Sequence, residues 1–284
     1  MMATDNALHH LGPMDGPLLL FGGPYGNLEA LTAIRNEAER RQIPAQRIIC
    51  TGDLTAYCAS PFESVEMTRD WGIHVVMGNC EEALADKAID CGCGFDQGSV
   101  CAQLSESWFG YTNSRITPAQ RNWMRTLPRS LRFTFGAHSF HVVHGAPSLI
   151  NKFIFPSTPD GEKKRELALA AADSVIGGHS GIPFGQRIGQ QFWLNTGVIG
   201  LPANDGTPDG WYLLLEWKGK RICASWHRLA YDYQKAGRVM QDAGVDTGYA
   251  RALSTGLWPS LDVLPPHEKA QQGNPINPPA LWLT

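Results

Sequence analysis

Short apolar runs alternate with longer stretches of helical period along this chain, and several of the runs end on one polar side chain. Residues 17–22 (PLLLFG) read as a first buried strand, and 48–50 and 74–77 as the next two. Between them Leu28, Leu31, Ile34 and Ala38 fall on one helical face, with Glu29, Arg35, Glu39 and Arg40 off it. Asn27 stands where it can cap that helix, and Pro44 ends it. Ser60-Pro61-Phe62-Glu63 opens a second helix with a capping box and Pro in its first turn, and Gly72 closes it. Strands alternating with such helices predict βαβ units and a largely parallel sheet.

Beyond Asn79 the pattern changes. Residues 81–87 suggest a short helix, whereas 88–110, centred on DCGCGFDQGSVCAQLSES, reads as a polar, cysteine-rich insertion rather than core. Thr117 to Gln120 start a capped helix whose buried side is Trp123, Met124 and Leu127. Residues 131–135 and 139–143 read as paired strands, 162–172 as a helix and 175–177 as a strand. Three later strands (191–194, 211–216, 222–228) follow without a long helix between them, which predicts a second, mostly antiparallel sheet packed on the first. The expected architecture is α/β: two packed sheets flanked by helices. Residues 1–16 are expected to be a loose tail, 17–230 the domain, and 231–284 a helix near 231–242 followed by a Pro/Gly-rich tail that wraps the surface or stays loose.

Four strand tips carry candidate chemistry. RIICTGD ends on Asp53, VVMGN on Asn79, HVVHG reaches His144, and SVIGGH ends on His179. Carboxyl edges of open α/β sheets are where ligands bind. An Asp, an Asn and two His form a mixed oxygen and nitrogen set suited to one divalent Zn, Mn or Fe, with room left for solvent or substrate.

Bulk composition narrows the partners. The 284 residues are 43% hydrophobic and 18% charged, enough for a real core, and the net charge of −3 without a basic cluster argues against a nucleic-acid duplex as ligand. No apolar run is long enough to span a membrane, and the start lacks a secretory pattern, so the expected compartment is the cytoplasm. There, seven cysteines are free thiols or metal ligands more readily than a disulfide scaffold. Cys58 and Cys80 should lie near the site mouth. Together Cys58, Cys91, Cys93 and Cys101 leave three readings open: free thiols, a second metal site, or a redox pair. Cys50 and Cys223 read as core.

Other polar residues are read more plainly. Tyr25 and Tyr57 either offer hydroxyls to a phosphate or fill space, and Asn27 and Asn195 join them as candidate substrate contacts. His74 and His141 read as structural, His9, His10 and His138 as exposed. Lys152, Lys163, Lys164 and Arg165 read as a solvated helix start that can otherwise meet an anion, and Trp193, Trp211, Trp217 and Trp226 as core.

In order, the motifs Gly23-Pro24-Tyr25-Gly26-Asn27, Gly52-Asp53, Gly78-Asn79-Cys80-Glu81, His144-Gly145 and Gly178-His179-Ser180-Gly181 resemble the five blocks of the calcineurin-like metallophosphoesterases. The similarity is strongest to their small bacterial phosphodiesterase and dinucleotide-polyphosphatase branch. It runs from about residue 18 to residue 228 and includes Asn195 to Pro202. It implies two packed mixed sheets, a metal-dependent hydrolysis and a small phosphorylated molecule as partner; an oligomer is left open. By resemblance, one metal of the family's pair would take Asp53, Asn79, His144 and His179. The other would need ligands where this chain has Gly23, Tyr25 and Gly181. Cys80 stands where the family keeps a catalytic His, which makes Asp53 and Cys80 the candidate catalytic residues. A thiol is the weaker donor there. Three functions follow: a single-metal phosphoester or nucleotide hydrolase, a weak or inactive relative that binds a phosphorylated ligand or partner, or a thiol-based redox or metal sensor.

Overall fold

The computed structural model describes residues 7–245 and 248–283. Its first sheet has the order β1 (His9–Met14), β5 (Ser130–Phe135), β6 (His138–Val143), β7 (Ser174–Gly177), β9 (Gln191–Asn195), β8 (Phe184–Ile188). The second runs β12 (Leu281–Trp282), β11 (Arg221–Leu229), β10 (Gly210–Lys218), β2 (Leu18–Phe21), β3 (Ile48–Cys50), β4 (His74–Val75). Both are mixed. β2, β3 and β4 are parallel, and the late strands β10 and β11 continue that same sheet antiparallel instead of forming a separate one. The sequence-based division of strands between sheets is therefore corrected. The long βαβ crossovers hid that β10 returns to the side of β2.

Alternation explains the layering. Leu18 and Leu20 of β2 point between the sheets, into a core with Phe133, Phe140, Val142 and Leu213, while Leu19 and Phe21 point the other way, under helix α1 (Leu28–Arg40). That opposite face is covered by α1 and α2 (Pro61–Trp71). The outer face of the first sheet packs Val175 and Trp193 against Leu167 and Ala170 of α6 (Asp160–Ala170). Strand period two thus gives each sheet two apolar faces and the molecule four layers. None of the helices among the described residues is long and apolar enough to cross a membrane.

Three segments differ from the expectation. Residues 9–14, expected loose, pair in parallel with β5 as an edge strand. The cysteine-rich stretch carries core positions as well as surface ones. It leads into α4 (Val100–Arg115), whose Trp108 is fully buried, and Cys91, Cys93 and Cys101 are buried with it. The 248–283 stretch is ordered as α8 (Tyr249–Thr255), α9 (Pro266–Ala270) and β12, after α7 (Tyr233–Asp242). Three smaller expectations also change. His138 is buried with Nε2 2.8 Å from Ser174 Oγ. Lys163 is buried and donates to Pro156 O and Gln186. Trp217 is 43% exposed rather than core.

His141 on β6 is buried, and burial, then the Arg132 charge, pushes its imidazole down to about 4 from 6.5. Between those values the unfolded chain binds a proton that the native protein does not. This stability is present above 6.5 and lost as pH falls toward 4. His141→Gln is expected to lower proton uptake on unfolding in that window by up to about one. Urea midpoints at pH 7 and pH 5 read the change; an unaltered pH slope counts against it.

Candidate metal centre

The tips of β3, β4, β6 and β7 meet at one end of the sandwich, where backbone packing is tight. A Cβ on Gly178 would lie 2.0 Å from Thr51 Oγ1, and one on Gly78 would lie 2.3 Å from Asp53 Oδ1. Gly178 lets the two sheets close on each other, and Gly78 lets the tips of β3 and β4 lie side by side. Asp53, Tyr25 and Tyr57 all adopt left-handed backbone, with φ of 57°, 54° and 51°. Such conformations cost energy in non-glycine residues and cluster at functional sites.

His144 is the hub. Its Nδ1 is 2.7 Å from the Thr51 carbonyl, which only accepts, so Nδ1 carries the hydrogen. Its Nε2 then faces Asp53 Oδ2 at 3.3 Å, Asn79 Oδ1 at 3.0 Å and His179 Nδ1 at 2.9 Å. Four such atoms so close repel one another unless a positive charge lies among them, either a proton on His144 Nε2 or a cation in its place. Burial opposes ionisation of Asp53, but the charge and hydrogen bond of His144 outweigh it and hold the carboxyl down at about 2. Burial likewise opposes the charged form of His144, and Asp53 nonetheless raises it. Burial and then the His144 charge push His179 down to about 3, which keeps its lone pair free. Asp53, His144 and His179 offer atoms all within 4.8 Å of one another, and Asn79 Oδ1 adjoins them. This donor set fits a divalent cation of the Zn, Mn or Fe kind.

Asn79 is aimed by the cysteine stretch. Its Nδ2 donates to Cys91 O at 2.9 Å and lies 3.3 Å from Cys93 Sγ, which turns Oδ1 toward His144. Cys80 is buried, gives its backbone N–H to Asp53 Oδ1 at 3.1 Å, and its thiol sits behind Asn79 rather than in the cavity. Burial first, and Asp53 among its neighbours, push the Cys80 thiol up, so it stays protonated. All seven cysteines are free. Among the described residues Cys58, Cys91, Cys93 and Cys101 do not gather into one cluster: Cys58 Sγ points at Gly200 O, and Cys101 lines the cavity wall.

Asn27 and Asn195 are tied to the protein itself. Asn27 caps α1 through Ala30 N and donates to Gly200 O, while Asn195 bridges Ser180 Oγ and Gly197 N. Tyr25 and Tyr57 do line the cavity beside Asp53, their rings 4.8 Å apart edge to face. Burial and the Asp53 charge push the Tyr25 phenol up, so it remains an O–H donor. Its ring also covers Gly23, where a Cβ would fall 2.5 Å from Tyr25 Cζ. The side that lacks ligands is thus filled by an aromatic ring. Lys152 is paired with Glu162 and Glu166, and Lys164 and Arg165 are exposed on α6.

Sequence reasoning missed Glu81 and the cavity roof. Glu81, at the third position of α3 (Asn79–Asp86), is fully buried and accepts the N–H groups of Asp53, Leu54 and Gly78 at 2.8, 2.8 and 2.9 Å. Burial, then the Asp53 charge, push its carboxyl up to about 7. The signal available was its capping-box position three residues after Gly78. The roof is Phe153, set 4.2 Å from the His179 ring, with Tyr249 and Trp258 from the late segment. The only sequence cue for it was aromatic residues standing in an aperiodic, Pro-rich stretch.

Known proteins share this fold. An uncharacterised protein of Methanocaldococcus jannaschii is 26% identical over 229 residues, covering 75% of this chain and 86% of that one. A metallophosphoesterase structure from Sphaerobacter thermophilus superposes with a TM-score of 0.68 at 20% identity, covering 86% of this chain and all of the other. A hypothetical protein from Pyrococcus horikoshii superposes at 0.71 with 15% identity, covering 84% and 98%. Residues 27–220 match the model of the calcineurin-like phosphoesterase superfamily domain, so the chain belongs to that superfamily.

Proposed function

We propose that this protein hydrolyses small phosphoesters with one divalent cation held by Asp53, Asn79, His144 and His179. The observation that carries the reading is the meeting of four donor atoms at His144 Nε2 while the Tyr25 ring covers Gly23 on the opposite side. When bound, a divalent cation supplies Lewis-acid polarisation and acidifies water. The chain's own residues do the rest. Asp53 contributes the negative charge that retains the cation, and Thr51 O fixes the His144 tautomer so that Nε2 faces inward. Cys91 O and Cys93 orient Asn79, and the Tyr25 hydroxyl offers a donor to a phosphoryl oxygen. Water oxygen bonds to phosphorus as the P–O bond to the alcohol breaks, and water's proton ends on the departing oxygen. Nothing is oxidised or reduced.

The cavity beside Asp53 and His179 has a volume of about 60 Å³, room for a few waters or one phosphoryl group. Protein purified without added metal is expected to carry about one transition-metal ion per chain and to cleave a chromogenic phosphoester when Mn is supplied. Elemental analysis with a hydrolysis assay tests both. Absence of metal together with absence of turnover would leave the second reading, a binding protein for phosphorylated ligands.

A further inference from the structure

A second cavity, sharing no lining residue with the metal centre, lies between the start of β8 and the chain that follows α9. Its volume is about 310 Å³, within the roughly 300–1,000 Å³ of small-molecule sites. Ile182 and Phe184 give it one apolar wall, and Ile276 and Pro278 the other. The later wall is fastened to the fold. Ile276 N donates to Asp205 Oδ2 at 3.1 Å, Arg228 donates to Ile276 O at 2.8 Å, and Gly273 N donates to Asn204 O at 2.9 Å. Asp205 and Asn204 are themselves buried. Because the groove is already shaped, little ordering opposes a ligand.

Glu268 of α9 is the one carboxylate lining this groove, and it is only 5% exposed. Its partners are neutral: Oε1 accepts the Ser157 N–H at 2.9 Å and Oε2 the Ser157 hydroxyl at 2.5 Å. A carboxylate has about four acceptor positions, so about two stay open. Ser157 directly follows Pro156, another lining residue, which puts the carboxylate at the groove wall. Among the described residues no Lys or Arg lines the groove, and His267, exposed to solvent, is its only other ionisable side chain. Lys163 is near enough to sense the Glu268 charge, yet its ammonium donates to Pro156 O at 2.8 Å and to Gln186 and forms no ion pair with Glu268.

A buried negative charge held only by neutral donors is stabilised by a cation that can reach it. A bare metal ion is a poor match, because among the described residues no imidazole, thiol or second carboxylate gathers with Glu268. An apolar groove that ends on a carboxylate matches a cation carrying an apolar stem. We infer that this groove binds a small free organic cation, an alkyl guanidinium or alkyl ammonium, with its head on Glu268 and its stem along Phe184 and Ile276. The site stands independently of the phosphoester chemistry.

Calorimetric titration of the full-length protein with butylguanidinium chloride tests it, with 1-butanol and sodium butyrate as stems of similar length without the positive head. One butylguanidinium per chain is expected to bind with a Kd of about 1 mM or tighter, a modest value for a ligand of this size. Butanol and butyrate are expected to bind at least about tenfold more weakly, the scale of one charge-assisted hydrogen bond. Glu268→Gln keeps the shape, removes the charge and is expected to weaken the cation at least about tenfold. Asp53→Asn is expected to leave its affinity within about twofold, which separates the groove from the carboxylate of the metal centre. No binding of the cation overturns the proposal. So does butanol or butyrate binding as tightly, a folded Glu268→Gln protein with unchanged affinity, or loss of binding in Asp53→Asn. If Glu268→Gln does not fold, the wild-type ratio of butylguanidinium to butyrate decides. N-acetyl-arginine methylamide binding at least about tenfold tighter than butylguanidinium would overturn the free small cation in favour of a peptide side chain.

Discussion

Asn in place of Asp53 is expected to leave the fold intact while removing the bound divalent ion and at least about 100-fold of any phosphoester hydrolysis. The substitution isolates charge from shape. Asn tolerates the left-handed backbone at this position, φ 57°, better than most residues, so the strained turn survives. An amide oxygen can still accept the Cys80 N–H that Oδ1 takes at 3.1 Å. What disappears is the negative charge that offsets a cation among two imidazoles and an amide. The Asp53 carboxyl is held down at about 2 by His144, so that charge is present throughout the neutral range. Elemental analysis, turnover and thermal unfolding would be read side by side. A variant that keeps its metal shows that the ligands are misassigned, whereas one that unfolds early shows that the charge is structural.

The second large effect is on stability. Glu81→Ala is expected to destabilise the protein by roughly 3–6 kcal/mol, because three buried N–H groups lose their acceptor at about 1–3 kcal/mol each, partly relieved by relaxation. Domains are stable by only about 5–15 kcal/mol, so the loss is a large fraction of the total. In a domain of this size the loss corresponds to a fall in Tm of about 6 °C or more. Glu81→Gln keeps one acceptor oxygen but aims an NH2 at an N–H, so it is expected to recover only part of the loss. Differential scanning calorimetry on both proteins is the check; a Glu81→Ala protein within 2 °C of wild type, with about 1 kcal/mol lost, would count against this network. The Asp53 and Leu54 amides are two of the three donors, so metal retention should fall in parallel.

The convergence of Asp53, Asn79, His144 and His179 was legible because each ends an apolar strand, and strand tips of an α/β fold gather by topology whatever the loops do. The partition of strands between sheets was not legible. β10 and β2 pair through a register that sets Leu215 against Leu18, and local pattern carries no record of so distant a partner. The cysteine stretch misled for a related reason. Cys91 and Cys93 look polar and loop-like in sequence, but their value lies in a backbone carbonyl and a sulfur that hold the Asn79 amide. Trp258 and Tyr249 escaped because irregular, Pro-rich segments can be held by hydrogen bonds to other loops, and such bonds have no period. Asn27 and Asn195 show the converse error, since residues near a site in sequence order turned out to be occupied by capping and turn bonds.

The pairing of β10 with β2 also bears on the order in which the molecule can assemble. As the chain emerges from the ribosome, β2 and β3 can pair early, yet β2 keeps an open side until residues 210–218 have been made. All four of its side chains are fully buried in the finished protein, and two of them, Leu18 and Leu20, await the first sheet. For most of synthesis an apolar strand therefore stands as an unpaired edge, the arrangement most open to capture by another nascent chain. Non-local closure of this kind is slow compared with local helix formation. The features that gather Asp53, Asn79, His144 and His179 at one end of the sandwich are the same ones that make its assembly wait for the late strands.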